Sequence, residues 1–338
     1  MQLYAGIDLH STNNYLGISD EKDHRIFKQK LPNDLRSILL SLNLFKNNLQ
    51  GVVVESTFNW YWLVDGLMQN GYKVHLANPS AIKQYEGLKY TDDKWDSFWL
   101  AHMLRLNILP EGYIYPKEER PLRDLLRKRM RLVRERTSHI LSLESMVNRN
   151  LGMQISGNKI KTFREEDAEE LFNHPHLIMS AKSSIAIMRL LTEHIKAIEK
   201  EVKSQVKLRE AFQCLLTVPG IGDILGLTIM LEVGDIRRFT KVGHYSSYCR
   251  CVTTARLSNG KSKGKGNSKN GNRYLAWAYV EAANLVMRYC PQARKFYQRK
   301  MEKEGSVVAI KALANKLARA TYYLIRDQVE YDPKKLFE

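Results

Sequence analysis

The chain has 338 residues, 44% hydrophobic and 26% charged, enough for two or three domains with their own cores. Its 53 lysines and arginines against 36 acids leave a formal charge of +17, which points to a polyanionic partner, most commonly nucleic acid. No apolar run is long enough to span a membrane, and Met1 to Gly6 starts a strand with no basic, signal-like leader, so no membrane partner is expected.

The charge is uneven. Residues 1–100 hold 11 acids and 10 bases, residues 117–164 hold 13 bases and 5 acids, and residues 250–273 hold 7 bases and no acid. A near-neutral segment beside two basic ones suggests a reaction centre served by separate binding surfaces. Four cysteines, Cys214, Cys249, Cys251 and Cys290, fit a reducing cytoplasm. Cys249-Arg250-Cys251 has no second pair at zinc spacing, so all four read as structural.

In chain order, Leu3 to Asp8 is an apolar strand ending in an acid, followed by strands at Asn14–Ser19 and Arg25–Lys30. Pro32 to Lys46 has helical spacing at Leu35, Ile38, Leu39, Leu42 and Phe45. Gly51-Val52-Val53-Val54-Glu55 is a β-branched strand buried on both faces, again ending in an acid. Trp60–Gln69 reads as a helix, Tyr72–Ala77 as a strand and Asn78-Pro79-Ser80 as its stop. This order predicts a mixed sheet with covering helices. Thr91 to Ala101 then opens a helix on which Asp93 and Asp96 share a face.

Asp8 and Glu55 thus stand where apolar strands run out, beside a helix carrying Asp93 and Asp96, with Asp92 as a spare acid. Grouped carboxylates suit Mg²⁺, with Mn²⁺ as the alternative. Two such ions about 4 Å apart activate a nucleophile and steady the leaving oxygen of a phosphodiester.

Arg120 to Leu151 has apolar residues at helical intervals, with Arg127, Arg131, Arg134 and further arginines on the remaining surface as phosphate contacts. Residues 152–180 are irregular, and periodicity returns at Leu191, Ile195, Ile198 and Val202, stepping as a coiled-coil seam does. The pair suggests an antiparallel hairpin and a dimer contact. Leu215 to Gly226 reads as helix, Gly-x-Gly turn and helix, a helix-hairpin-helix pattern in which backbone amides at Gly220 and Gly222 meet a phosphate. Ser258 to Leu275 reads as a flexible basic loop, with Lys261, Lys263, Lys265, Lys269 and Arg273 wrapping phosphates. Helices at Tyr274–Tyr289 and Val307–Ile325 end the chain, the last with small residues for close packing.

Gly6-Ile7-Asp8-Leu9-His10, Val54-Glu55-Ser56, Asn78-Pro79 and Asp93-Lys94-Trp95-Asp96-Ser97 resemble motifs of the DEDD transposases of bacterial insertion sequences. These are the one-ten family, with its one-one-one-one subgroup and the Piv-type DNA invertases. Val218-Pro219-Gly220-Ile221-Gly222, Ser258-x-Gly260-Lys261 and Ser268-Lys269-x-Gly271-x-x-Tyr274-Leu275 extend the resemblance to the second half. It implies an α/β RuvC-like, RNase H-fold catalytic domain over 1–110, a basic helical coiled-coil region over 111–210 and a helical transposase domain over 211–338. It further implies Asp8, Glu55, Asp93 and Asp96 as metal ligands. Ser258 would be the nucleophile that holds DNA covalently, with Ser262 and Ser268 in the same loop. The partners implied are element-end and target DNA, a structured bridge RNA, and further copies of the chain in a dimer or tetramer, in a bacterial cytoplasm. Ser97 stands where the family favours Ala, and Asp92 replaces a common Thr. A water-using Holliday-junction nuclease, a site-specific invertase and a non-enzymatic nucleic-acid binder are the competing readings.

Overall fold

The strand alternation of the first hundred residues builds a five-stranded sheet. The computed structural model describes residues 1–82, 93–206, 208–252, 255–259, 261–265 and 270–337, with backbone alone at 93–95, 255–258 and 262–265. They form two compact units, Met1–Glu118 and Glu119–Glu338.

The first unit runs β1 (Leu3–Leu9), β2 (Asn13–Asp20), β3 (Arg25–Pro32), α1 (Leu35–Asn43), β4 (Leu49–Glu55), α2 (Tyr61–Gln69), β5 (Val74–Ala77) and α3 (Asp93–Arg105). The sheet order is β3-β2-β1-β4-β5. The first three strands are antiparallel neighbours, and β4 and β5 run parallel to β1. That mixed order is consistent with the RNase H-like domain expected. Helix α1 starts later than its periodicity suggested because Pro32 still pairs with Asn13 in the sheet. Asp34 then caps the helix, accepting the Ser37 N–H at 2.8 Å.

Successive strand residues point to opposite faces. Ala5, Ile7, Leu9, Leu16, Ile18, Val52 and Val54 join Ile38, Leu42, Leu63, Val64 and Leu67 of α1 and α2 in one core. The opposite face is covered by α3, whose Leu100 and Met103 pack with Val53 and Ala77. Gly6 and Gly17 pair across β1 and β2 beneath this helix. A Cβ on Gly6 would stand 1.9 Å from the Ser97 carbonyl oxygen, and one on Gly17 2.8 Å from Ser97 Oγ. These glycines and the buried Ser97 let the helix lie directly on the strands.

The second unit is mostly helical: α4 (Arg120–Leu151), α5 (Gly157–Ile160), α6 (Asp167–Leu171), α7 (Pro175–Val206), α8 (Glu210–Leu216), α9 (Asp223–Val233) and α10 (Val242–Tyr248). A two-stranded sheet of β6 (Ala255–Ser258) and β7 (Lys261–Lys265) follows, then α11 (Arg273–Tyr289), α12 (Pro291–Glu304), α13 (Ser306–Asp327) and α14 (Pro333–Phe337). Helices α4 and α7 lie antiparallel: Arg129 bonds Glu199, while Arg136, two turns further on, bonds Thr192, earlier in α7. Ile140, Leu143, Met146 and Val147 meet Ala181, Ile185 and Met188 in their own apolar cluster.

Two expectations are corrected. The irregular stretch ends at Pro175, not 180, because a proline in the first helical turn lacks only an N–H that has no partner there. The basic segment after Ser258, expected as a flexible loop, holds a β-hairpin in which Ser258 pairs with Lys261. The two residues between them are Asn259 and Gly260, and Asn259 has φ +50. An Asn-Gly pair suits a two-residue hairpin turn because both residues tolerate positive φ. Among the described residues, no helix is long and apolar enough to cross a membrane.

Candidate active site

Two carboxylates meet at the end of the sheet because β1 and β4 are adjacent and parallel. Ile7 pairs with Val54, so Asp8 and Glu55 stand one step beyond, side by side. Alternation puts both on the α3 face, with Gly6 and Val53. Asp8 is buried and Glu55 half-buried. Asp96 projects from the first turn of α3, also half-buried.

The electrostatics show that these groups share one environment. Burial pushes the Glu55 carboxyl up to about 7, aided by the charge of Asp8, a hydrogen bond with Asp8 and the charge of Asp96. Asp8 and Glu55 are therefore neighbours, and Asp96 of α3 lies near enough for its charge to act on Glu55. The Asp93 side chain and Asp92 lie outside the described residues, although the backbone of Asp93 begins α3.

The sequence reading missed His10 as a site residue. Its Nε2 lies 3.1 Å from Asp8 Oδ2, and its charge opposes the rise at Glu55. The Asn33 and Asn59 amides donate to the His10 carbonyl at 2.9 and 3.0 Å, which holds the β1–β2 turn in place. A His two residues beyond the strand-end acid was the available signal.

Oxygen donors of this kind suit a hard cation, and Mg²⁺ is commonly held by one or two carboxylates plus water and phosphate oxygens. Among the described residues, no three His, Cys, Asp or Glu side chains form a group tight enough to hold a metal by themselves. The fit therefore rests on the donor chemistry of Asp8 and Glu55 and on the mutual repulsion that a cation would relieve.

In the second unit, Ser258 ends β6 at the hairpin turn, and Asn259 and Lys261 beside it are exposed. The side chains of Ser258, Ser262, Lys263 and Lys265 are not among those described, and Ser268 and Lys269 lie outside the described residues. Arg273 is exposed and stacks on Tyr274 at 5.1 Å.

The segment's C-terminal root is anchored. Asn272 caps α11 by accepting from the Tyr274 and Leu275 N–H groups, and its Nδ2 donates to buried Glu232 at 2.7 Å. Arg127 grips the same carboxylate through Nε at 2.6 Å and Nη2 at 2.7 Å. Although burial works against its charge, these bonds hold the Arg127 guanidinium above its usual range. This corrects the phosphate role expected of Arg127: its fork is committed to a buried internal acid. Nothing in the sequence pairs positions 127 and 232. Arg131 and Arg134, by contrast, are exposed on α4, with Arg131 bonded to neighbouring Glu135.

Gly220 has φ +93, and a Cβ there would stand 2.7 Å from the Val286 backbone nitrogen, so its need for glycine is met by packing on α11. Gly222 is exposed immediately before α9. All four cysteines are free and buried. Burial pushes the Cys251 thiol up to about 12, in keeping with a structural role.

Two family models match the chain. One, a transposase model of the IS110 DEDD type, covers residues 5–150; the other, described as the transposase IS116/IS110/IS902 family, covers residues 212–298. The chain is 26% identical over 283 residues to the transposase for insertion sequence element IS1328 of Yersinia enterocolitica, spanning 80% of this chain and 82% of that protein. It is also 26% identical over 284 residues to the transposase for IS1111A of Coxiella burnetii, spanning 81% and 76%. A 43.6 kDa protein of insertion element IS110 from Streptomyces coelicolor is 24% identical over 143 residues, 42% of this chain and 35% of its own.

Proposed function

The chain belongs to the DEDD transposases of the IS110 family, enzymes that cleave and recombine DNA, and on that premise we propose that its carboxylate cluster cuts the DNA phosphodiester with Mg²⁺ or Mn²⁺. The observation that carries this reading is the pairing of Asp8 with Glu55, acids far apart in sequence, at one end of the sheet, with the charge of Asp96 acting on Glu55. Asp8 and Glu55 would hold the cation with Asp96, and Asp93, three residues before Asp96 in the family-like motif, would be the fourth ligand. The metal, when bound, supplies charge neutralisation at the phosphoryl oxygens and a lower barrier to deprotonating the attacking group.

The protein's own groups do the rest. Asp8 and Glu55 present oxygens from a rigid sheet end, so the cation they would hold, and through it the phosphate, would be placed without reorganisation of the backbone. His10 orients Asp8 from the adjoining turn.

Ser258, at an exposed turn, is the proposed nucleophile: its Oγ attacks phosphorus, a deoxyribose oxygen leaves, and a seryl–DNA ester conserves the bond for rejoining. The chain would act as a dimer or tetramer on element-end and target DNA, with the basic segment after Ser258 holding the DNA backbone and a structured bridge RNA held by exposed Arg131 and Arg134. The three-part division at 110 and 210 is part of the same proposal.

Element-end DNA incubated with Mg²⁺ tests it. Wild type is expected to give strand-transfer products and a covalent protein–DNA adduct, both absent in Asp8→Asn and the adduct absent in Ser258→Ala. An adduct from Ser258→Ala overturns the serine assignment, and simple nicks without adduct select the Holliday-junction nuclease. Sequencing the nucleic acid that co-purifies with the protein tests the bridge RNA.

A further inference from the structure

The site face of the sheet carries a row of directly opposed residues that runs past the acids. Asp8 pairs with Tyr15 across β1 and β2, and Tyr15 pairs with Lys30 across β2 and β3. Directly opposite residues share a face, so Glu55, Asp8, Tyr15 and Lys30 form one line across four strands. The contacts agree with the register. His10, which touches Asp8, meets the Tyr15 ring edge-on at 6.0 Å, and the Lys30 ammonium sits 5.4 Å from the centre of the same ring. Tyr15 is half-buried and Lys30 exposed. Among the described residues Lys30 has no ion pair.

We propose that Lys30 is a positioning residue for the DNA strand being cut, its ammonium holding a phosphate that flanks the scissile one while the Tyr15 ring fixes where that ammonium stands. This rests on the carboxylates being the cleavage site. Strands lie about 4.8 Å apart, which places the Lys30 backbone about 10 Å from that of Asp8. The long lysine side chain closes part of that gap, so a strand with one phosphate at the acids brings a neighbouring phosphate within its reach. The charge logic is selective. The site acids repel a polyanion at the cutting point, and in a near-neutral segment a cation one strand beyond Tyr15 draws the backbone across them. Edge strands often carry lysines merely to deter pairing with other sheets. Lys28, opposite Gly17 on the same strand and two residues further from the acids, serves as the control for that role.

The experiment uses the full chain and element-end duplexes on which wild-type cleavage has been mapped. A neutral methylphosphonate is placed at each of the two phosphates on either side of the cut. Wild type is expected to slow on the order of tenfold at one flanking position, the loss of a charged hydrogen bond. Lys30→Ala should show that slowing on ordinary DNA and no further loss at that position, with Lys30→Arg restoring both. Its plot of log affinity against log salt should be shallower by about 0.9, one phosphate contact. Lys28→Ala should keep the wild-type pattern. A Lys30→Ala protein as sensitive to the neutral phosphate as wild type, or a Lys28→Ala protein equally impaired, overturns the inference. If Asp8→Asn cuts as fast as wild type, the carboxylate reading fails whatever Lys30 does. If Asp8→Asn is inactive while Lys30→Ala behaves as wild type, the Lys30 inference fails alone.

Discussion

Replacing Glu55 by Gln should make the metal-free protein more stable at pH 8 and change the pH dependence of its unfolding. Burial and the charges of Asp8 and Asp96 raise the Glu55 carboxyl from 4.5 to about 7. The folded protein therefore keeps a proton that the unfolded chain has lost between these values. The stabilisation is fully present below about 4.5, fades as pH rises, and is gone above about 7. At about 1.4 kcal/mol per pH unit, the shift sets a ceiling of about 3 kcal/mol; partial exposure of Glu55 brings the expectation to about 2. Asp20 and Asp34, whose carboxyls are lowered from 3.8, act only at more acid pH and leave this window clear. Urea unfolding in EDTA from pH 5 to 8 measures it. Trp60, Trp62, Trp95 and Trp99 lie in the N-terminal unit and only Trp277 outside it, so tryptophan fluorescence reports chiefly on this unit. Wild type should lose stability across the window and regain it with Mg²⁺ at pH 8; Glu55→Gln should do neither, and a His10→Gln control separates the imidazole. Parallel profiles for wild type and Glu55→Gln would refute the idea that the three acids share one site.

Gly6→Ala should abolish DNA cleavage and lower the melting temperature of the N-terminal unit by several degrees. The added methyl meets backbone at Ser97 and Ala101, with no flexible side chain to yield; full activity in that variant would show that α3 does not seat Asp96. Arg127→Ala should cost about 3 kcal/mol in unfolding experiments by leaving Glu232 buried without a counter-charge, held only by the Asn272 amide. Arg131→Ala should leave stability unchanged and reduce the salt slope of nucleic-acid binding by about 0.9, and the reverse pattern would restore Arg127 as a phosphate ligand. Asp8→Asn should bind DNA as tightly as wild type or tighter in EDTA, since it removes a negative charge facing the backbone, and weaker binding in a filter assay would count against a phosphate at that acid.

Much of the first unit was legible because its strands alternate or run β-branched and its breaks carry strong turn chemistry. Val52, Val53 and Val54 are all buried, as a strand covered on both faces requires. Helix α4 was readable end to end from its apolar spacing. Helix α12 was not, since its apolar stripe is short: it buries Ala293 and partly covers Phe296 and Tyr297, while lysines, arginines and glutamates crowd the rest of it. The β6–β7 hairpin was hidden for a different reason. Composition rich in Lys, Gly and Ser suggested a linker, while the Asn259-Gly260 sequence within it carried the stronger local signal.

The site divides along the same line. Asp8 and Glu55 announce themselves because an acid closing an apolar strand is conspicuous on the sequence alone, and their meeting follows once β1 and β4 are parallel neighbours. The residues that seat α3 beside them are unremarkable in sequence: a glycine within each of two strands and a serine on a helix. Their meaning depends on register, a relation between strands that no local pattern contains. A one-residue slip of β2 against β1 would carry Tyr15 to the opposite face and separate Gly17 from Gly6. The helix could then no longer touch the sheet, and Asp96 would move away from Asp8. The close approach of Ser97 to Gly6 and Gly17 therefore ties the proposed metal-binding chemistry to strand pairing: the same contact that seats α3 selects the register in which Asp8 and Glu55 stand beside it.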